Sequence, residues 1–303
     1  MPGPTTSSGS VRTIVLLAAL ILLGPRLPLD ADPTPAGADP ASPIPLSEAL
    51  DRLSRVAKLY RDSALSFSCD ERITDEGVQD RSFDFDYVYV YSDVHGFADY
   101  RTDPRDPAHL PVRMHRYHLP RYLLMAYSWA FVFDESRQKL HRYEIGGWED
   151  FGGRRALAVR FEPIPPYRAG VNDWFGTAWI DADSFQILEV RALKAADQRK
   201  QEKLEREFAK PGPGPPPGVG AGYLIEKVST DFSVEKNGMR FPGTVVIWNS
   251  RYRIQEKDSV KGIQEAPVYR VTQSYTNYRF FNVRTEEEIR DLVRGKATIK
   301  PGP

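Results

Sequence analysis

The sequence predicts an α+β protein in which antiparallel strands follow an N-terminal helix, and three stretches carry that prediction. In residues 143–191 two strand pairs follow one another. Leu157, Val159 and Phe161 alternate with Ala158 and Arg160 until Pro163 ends the run, and residues 176–181 return as 185–191 across the turn Ala182-Asp183-Ser184. In the second stretch Phe83, Phe85, Tyr87, Tyr89 and Tyr91 share one face of a strand, against Asp84, Asp86, Val88 and Val90. The third is Asn237-Gly238, a strong two-residue hairpin signal between β-rich runs. No internal repeat of about 20 to 50 residues is present.

The chain opens with an apolar run at residues 13–23 behind Arg12, shorter than the roughly 18 to 20 residues a membrane span needs, so residues 1–38 read as a signal peptide or N-terminal anchor of an exported protein. Ala36-Gly37-Ala38 has the small residues of a cleavage site, although it lies far from the apolar run. Residues 39–45, with Pro40, Pro43 and Pro45, form a linker. Ser47 can cap a helix over 46–62, whose Leu50, Leu53, Val56, Ala57 and Tyr60 recur every three or four residues. From Ser66 the period changes to two, and residues 97–101 read as the neighbour of the aromatic strand.

Residues 102–130 are less regular. Asp103-Pro104 and Asp106-Pro107 are loop signals, and residues 121–128 read as a short helix crossing an opening, a mobile lid. Residues 131–133 and 140–145 look like a strand pair. Residues 194–210 favour a helix but carry almost no apolar stripe, and a Pro-Gly run follows at 211–218, so residues 194–222 read as a solvated surface insertion. The last third returns to strands at 223–234, 239–248, 252–256 and 268–281. Residues 284–303 hold a short C-terminal helix, with Thr285 and Glu288 as its capping box, and a tail.

Charge and cysteine content narrow the function classes. Of 303 residues 41 are Lys or Arg and 41 are Asp or Glu, so nucleic acid is not expected as a partner, and an anionic membrane surface would need bases concentrated locally. The single cysteine, Cys69, cannot close an intrachain disulfide and reads as a buried thiol. The chain has no Gly-x-Ser-x-Gly elbow, no His-Glu-x-x-His, no phosphate-binding glycine loop and no cysteine pair for zinc. One cluster suggests chemistry: His109, His115 and His118 near Asp103 and Asp106, which would make the chain a metal-dependent hydrolase. Arg113 and Arg116 are interleaved with these histidines and oppose a cation. The favoured reading is therefore non-catalytic, with no metal and no cofactor.

The N-terminal amphipathic helix, the aromatic-rich strands, the run ending in Phe161-Glu162-Pro163, the Ala178-Trp179-Ile180-Asp181 hairpin and the late Gly238-Met239-Arg240-Phe241-Pro242 element together resemble the LolA, LolB and RseB-like superfamily of periplasmic lipoprotein carriers and sensors. The resemblance spans residues 46–283 and is interrupted by the insertion. It implies a curved antiparallel sheet forming an incomplete β-barrel, with helices over a concave apolar face that holds acyl chains or a lipidated protein segment. It also implies a monomer with an envelope protein as partner. The ligand-binding candidates are Phe85, Tyr87 and Tyr89 of the aromatic strand, Leu123, Leu124 and Trp129 of the lid, and Leu157, Val159, Trp179 and Trp248, a larger aromatic surface than a small single-layer sheet needs.

Overall fold

The computed structural model describes residues 44–63, 66–77, 80–92, 96–108, 110–113, 126–169, 172–215, 222–257 and 260–281. Helix α1 (Leu46–Ser63) is followed by strands β1 (Phe67–Glu76), β2 (Arg81–Ser92) and β3 (Gly96–Thr102), then by a 3-10 turn (Ala126–Phe131) and a one-turn helix α2 (Glu135–Gln138). Next come β4 (His141–Phe151), β5 (Arg154–Pro163), β6 (Trp174–Asp181), β7 (Ile187–Lys194), α3 (Ala195–Ala209) and β8 (Tyr223–Asp231). The described chain closes with β9 (Val234–Lys236), β10 (Met239–Phe241), β11 (Thr244–Lys257) and β12 (Val260–Phe280).

One ten-stranded sheet runs in the order β3-β2-β1-β12-β11-β8-β7-β6-β5-β4, with β3 and β4 as its two edges. Every neighbouring pair is antiparallel. The sheet does not close on itself, and the architecture is the open α+β half-barrel that the sequence suggests. The pairing of β1 with β12, Phe67 opposite Phe280 and Glu76 opposite Arg270, lies inside the sheet and joins the first and last described strands. No helix among the described residues is long and apolar enough to cross a membrane.

The turns follow local chemistry. Asn237 (φ 53°) and Gly238 (φ 75°) both occupy the left-handed region, as a two-residue type I′ hairpin requires, and join β9 to β10. This hairpin is a two-stranded excursion from the end of the β8–β11 pair. Between β6 and β7 the Asp181 carboxylate accepts from the amides of Asp183 (3.2 Å) and Ser184 (2.9 Å). At Gly176 a Cβ would lie 2.5 Å from the Phe161 ring and from the Arg191 carbonyl, so only glycine lets that ring lie flat across β6.

Four expectations are corrected. Residues 131–133 form no strand: Phe131 ends the 3-10 turn and all three side chains are buried, and periodicity does not separate a short apolar turn from a strand. The lid helix expected at 121–128 is, where described, the 3-10 turn from Ala126. The stretches 252–256 and 268–281 are parts of longer strands, because a bulge sets Pro267 opposite Ser250 and Tyr269 opposite Asn249, and the ladder continues through the proline. Finally, α3 is docked rather than solvated. Its Leu204 is buried with Ile225 and Tyr252 against Leu193, Tyr223, Ile254 and Ile263 on the convex side of β8 and β11. Tyr223 donates to Glu207 (2.9 Å), and Lys261 reaches the carbonyl of Lys210 (2.7 Å) just past the last turn of α3.

Leu204→Ala should therefore cost about 2–3 kcal/mol in urea unfolding, at the low end for a buried leucine because α3 lies on the rim of the core. A shift under about 0.5 kcal/mol, the size of an ordinary surface change, would return α3 to the solvent.

Candidate binding site

Strand alternation and register build the concave wall. Phe67, Cys69, Glu71, Ile73 and Asp75 of β1 point inward, and β2 sets Tyr89 opposite Phe67, Tyr87 opposite Cys69 and Phe85 opposite Glu71. At the centre the Phe67 ring lies 5.2 Å from Tyr89, 5.1 Å from Tyr127 and 5.1 Å from Tyr278. Phe241 packs 4.9 Å from Phe280 and 5.2 Å from Tyr278. Leu157 and Val159 of β5 and Ala178 and Ile180 of β6 continue the same face.

Two pieces of chain cover this wall. Ala49, Leu53, Ala57 and Tyr60, at four- and three-residue spacings on α1, are all buried. Tyr60 also ties α1 to the hairpin: its hydroxyl donates to the Arg240 carbonyl (2.6 Å) and accepts from the Arg240 amide (3.0 Å), which also donates to Gln186 Oε1 (2.7 Å). Arg61 of α1 reaches Asp134, the N-cap of α2, at 2.5 Å. Burial raises the Asp134 pKa, but hydrogen bonds from Ser136 and the Arg61 charge outweigh it and hold the carboxyl below its ordinary range.

The second cover is the 3-10 turn. Its Tyr127 stacks on Phe241 at 5.7 Å, and its Trp129 meets Trp174 at 5.5 Å and Phe161 at 6.1 Å. The Tyr127 hydroxyl and the Trp129 indole N–H are buried with no hydrogen-bond partner among the described residues. Burial drives the Tyr127 phenol well above its ordinary value, so it stays a protonated donor. Beside this turn a cavity of ≈ 10 Å³, about the size of one water, lies between α1 and β7, lined by Leu53, Val56, Tyr60, Ala130, Phe133, Phe185, Ile187 and Phe232.

A charged cluster interrupts the apolar wall near the β3 edge. Arg101 grips Glu71 with two hydrogen bonds (2.5 and 2.9 Å), reaches Asp99 (2.8 Å) and lies 4.8 Å over the Tyr87 ring. Gln273 donates to Glu71 (3.1 Å) and to the Tyr275 hydroxyl (2.9 Å). Burial disfavours the Arg101 charge, yet the attraction of Glu71 prevails and raises its pKa. This cluster pins the edge strand β3 to β1 across β2. Sequence reading passed over it, although Phe67-x-Cys69-x-Glu71-x-Ile73 already sets a carboxylate among apolar inward positions.

Six of the ten candidate residues meet on or over the concave wall: Phe85, Tyr87, Tyr89, Leu157, Val159 and Trp129 are all buried in one core. Two do not. Trp179 pairs with Ala158 and Trp248 with Lys227, so both point to the convex side, where Trp179 donates to Glu149 (2.9 Å) and lies beneath Arg191 (4.7 Å). Alternation places Ala178 and Ile180, and Val245 and Ile247, on the core side in their stead. Leu123 and Leu124, and the histidines His109, His115 and His118, lie outside the described residues.

No family model and no curated protein matches the chain. Among solved structures it is similar to a domain from Vibrio parahaemolyticus described as an outer membrane lipoprotein-sorting protein, at 12% identity, covering 82% of this chain and 99% of that one with a TM-score of 0.44. It is also similar to a LolA superfamily protein from Nitrosomonas europaea (8% identity, 80% of this chain and 96% of that one, TM-score 0.38). A third is the MucA/MucB complex of Pseudomonas aeruginosa (11% identity, 78% and 100%, TM-score 0.24). The likeness is one of fold. It carries nothing about ligand or partner.

Two outcomes test the wall. Arg101→Met should destabilise by about 3–5 kcal/mol, because it leaves Glu71 buried without its cation, and adding Glu71→Leu should recover most of that loss in denaturant unfolding. A double variant as unstable as the single would mean that the pair itself holds β3. His141, buried between Tyr143 and Phe161 with Nδ1 3.0 Å from the Arg137 carbonyl, has its pKa lowered by that burial. The unfolded chain therefore takes up the proton first, and stability falls as pH drops through the ordinary histidine value of about 6.5. His141→Phe should flatten the loss between about pH 7 and pH 5, and parallel curves for the two proteins would remove His141 from the acid response.

Proposed function

We propose that the chain is an exported, non-catalytic binding protein that takes a lipid, an acyl chain or a lipidated protein against its concave face, as a carrier or an envelope sensor. The cover carries this reading. Among the described residues an open sheet with rings along its concave face is closed by one helix and one 3-10 turn, and that turn buries the Tyr127 and Trp129 donors with no acceptor among those residues. Each such donor costs about 1–3 kcal/mol. A cover packed at this cost favours lifting, and a ligand with ester or amide carbonyls among acyl chains supplies the acceptors that the described residues do not. Phe85, Tyr87, Tyr89, Leu157 and Val159 then form the bed for the acyl chain, with Leu123, Leu124 and Trp129 as its cover; Trp179 and Trp248 have no part in it. The apolar run at 13–23 supports export, and the same chemistry names the partner as an envelope lipoprotein or the protein that receives it.

Retention of a fluorescent acyl probe tests the reading. Tyr127→Phe removes one stranded donor without changing shape, so it should stabilise the closed protein by about 1 kcal/mol while weakening probe retention severalfold. The reading fails if the parent takes up no probe, or if Tyr127→Phe retains it as the parent does.

A further inference from the structure

We infer that the exposed side of α3 is a docking surface for the anionic headgroups of a lipid bilayer. The helix is neutral in composition, with Asp197, Glu202, Glu205 and Glu207 against Arg199, Lys200, Lys203 and Arg206. Docking on the sheet sorts these charges. Asp197 is buried and holds Lys200 (2.6 Å), Glu205 is half-buried and accepts from Gln201 (3.0 Å), and half-buried Glu207 accepts from Tyr223 (2.9 Å). Arg199, Lys203 and Arg206, at four- and three-residue spacings, are exposed on one stripe that Lys210 continues at the C-cap, and Glu202 is the one exposed carboxylate of the helix. Formal neutrality of the whole chain therefore hides a local basic ridge, the condition under which an anionic surface becomes a partner.

The form of the ridge selects the bilayer over an acidic protein. Arg199 to Arg206 spans about 10 Å of a straight helix whose apolar side is already packed on the sheet. The solvent side of α3 holds no large exposed apolar residue, and Ala196 and Ala209 are its other exposed residues. Protein interfaces centre on buried aromatic or aliphatic anchors, whereas adsorption to headgroups needs only charge on a line. Attraction of this kind is weak and salt-sensitive, so a cargo carrier can touch a membrane and leave it. The inference stands apart from the cargo reading, because the ridge and the concave wall lie on opposite sides of the sheet.

Co-sedimentation of the full chain with vesicles of phosphatidylcholine, with and without phosphatidylglycerol, tests it. Binding should depend on phosphatidylglycerol at low salt and be released as salt rises. At about fivefold per base, Lys203→Ala/Arg206→Ala should weaken it more than tenfold, and Glu202→Lys should tighten it, a gain that misfolding does not produce. Equal, salt-insensitive binding to both vesicles would overturn the inference and point to the apolar run at 13–23. Unchanged binding by Lys203→Ala/Arg206→Ala, or capture of polyglutamate without vesicle binding, would overturn it too. The double variant should retain the acyl probe like its parent, so failure at the membrane is told apart from failure of the cargo site.

Discussion

A sheet that stops short of closing has two faces to cover, and the rest of this structure follows from that constraint. The concave face gathers the rings of Phe67, Tyr89, Phe241, Tyr275 and Tyr278 and is sealed by the Ala49-Leu53-Ala57-Tyr60 stripe of α1 and by the 3-10 turn. The convex face is covered in part by α3, through Leu204 against Ile225 and Tyr252. Pairing β1 with β12 places the first and last strands side by side inside the sheet, so both edges, β3 and β4, come from interior segments of the chain. Charges guard those edges: the Glu71–Arg101–Asp99 cluster holds β3, and Arg142, Glu144 and Glu149 lie along β4 beside a bulge at Gly146.

Much of the fold was legible in the sequence because single strands report their own period. The row from Phe83 to Tyr89, the Leu157-Val159-Phe161 alternation, the turn at 182–184 and Asn237-Gly238 all stand where the pattern puts them. Period two does not say which of two faces meets the core of a neighbouring strand. Trp179 and Trp248 look like core residues by size, yet register with Ala158 and Lys227 turns them outward, and smaller Ala178 and Val245 fill the inside. Size is a weaker guide than register in a sheet whose convex face is also partly covered.

The helix at α3 was legible, but its docking on the sheet was not, for a related reason. Its apolar contribution is essentially Leu204 and Phe208, too thin a stripe to mark an amphipathic helix, and docking relies on tyrosines and lysines supplied by the sheet: Tyr223 bonded to Glu207, and Lys261 5.6 Å over Phe208 and at the C-terminal carbonyls. Such contacts belong to pairs far apart in sequence, which no local window contains. Arg101 and Gln273 are a second case: alternation marks Glu71 as inward-facing, but its two partners look like ordinary surface residues until strand pairing brings the three together.

Two tyrosines of the cover are held in different ways. Tyr60 and Tyr127 have ring centroids 5.9 Å apart and are equally buried. Tyr60 exchanges hydrogen bonds with the Arg240 backbone, which Gln186 braces through the Gly238 carbonyl (2.8 Å), so α1 is tied to the β9–β10 hairpin by a satisfied polar knot. Tyr127 has ring contacts but no partner for its hydroxyl among the described residues. The hydrophobic part of ring packing is non-directional, whereas a satisfied buried network resists any shift that strands its members. The two halves of the cover are therefore held differently, α1 through a satisfied polar knot and Tyr127 of the turn through its ring contacts.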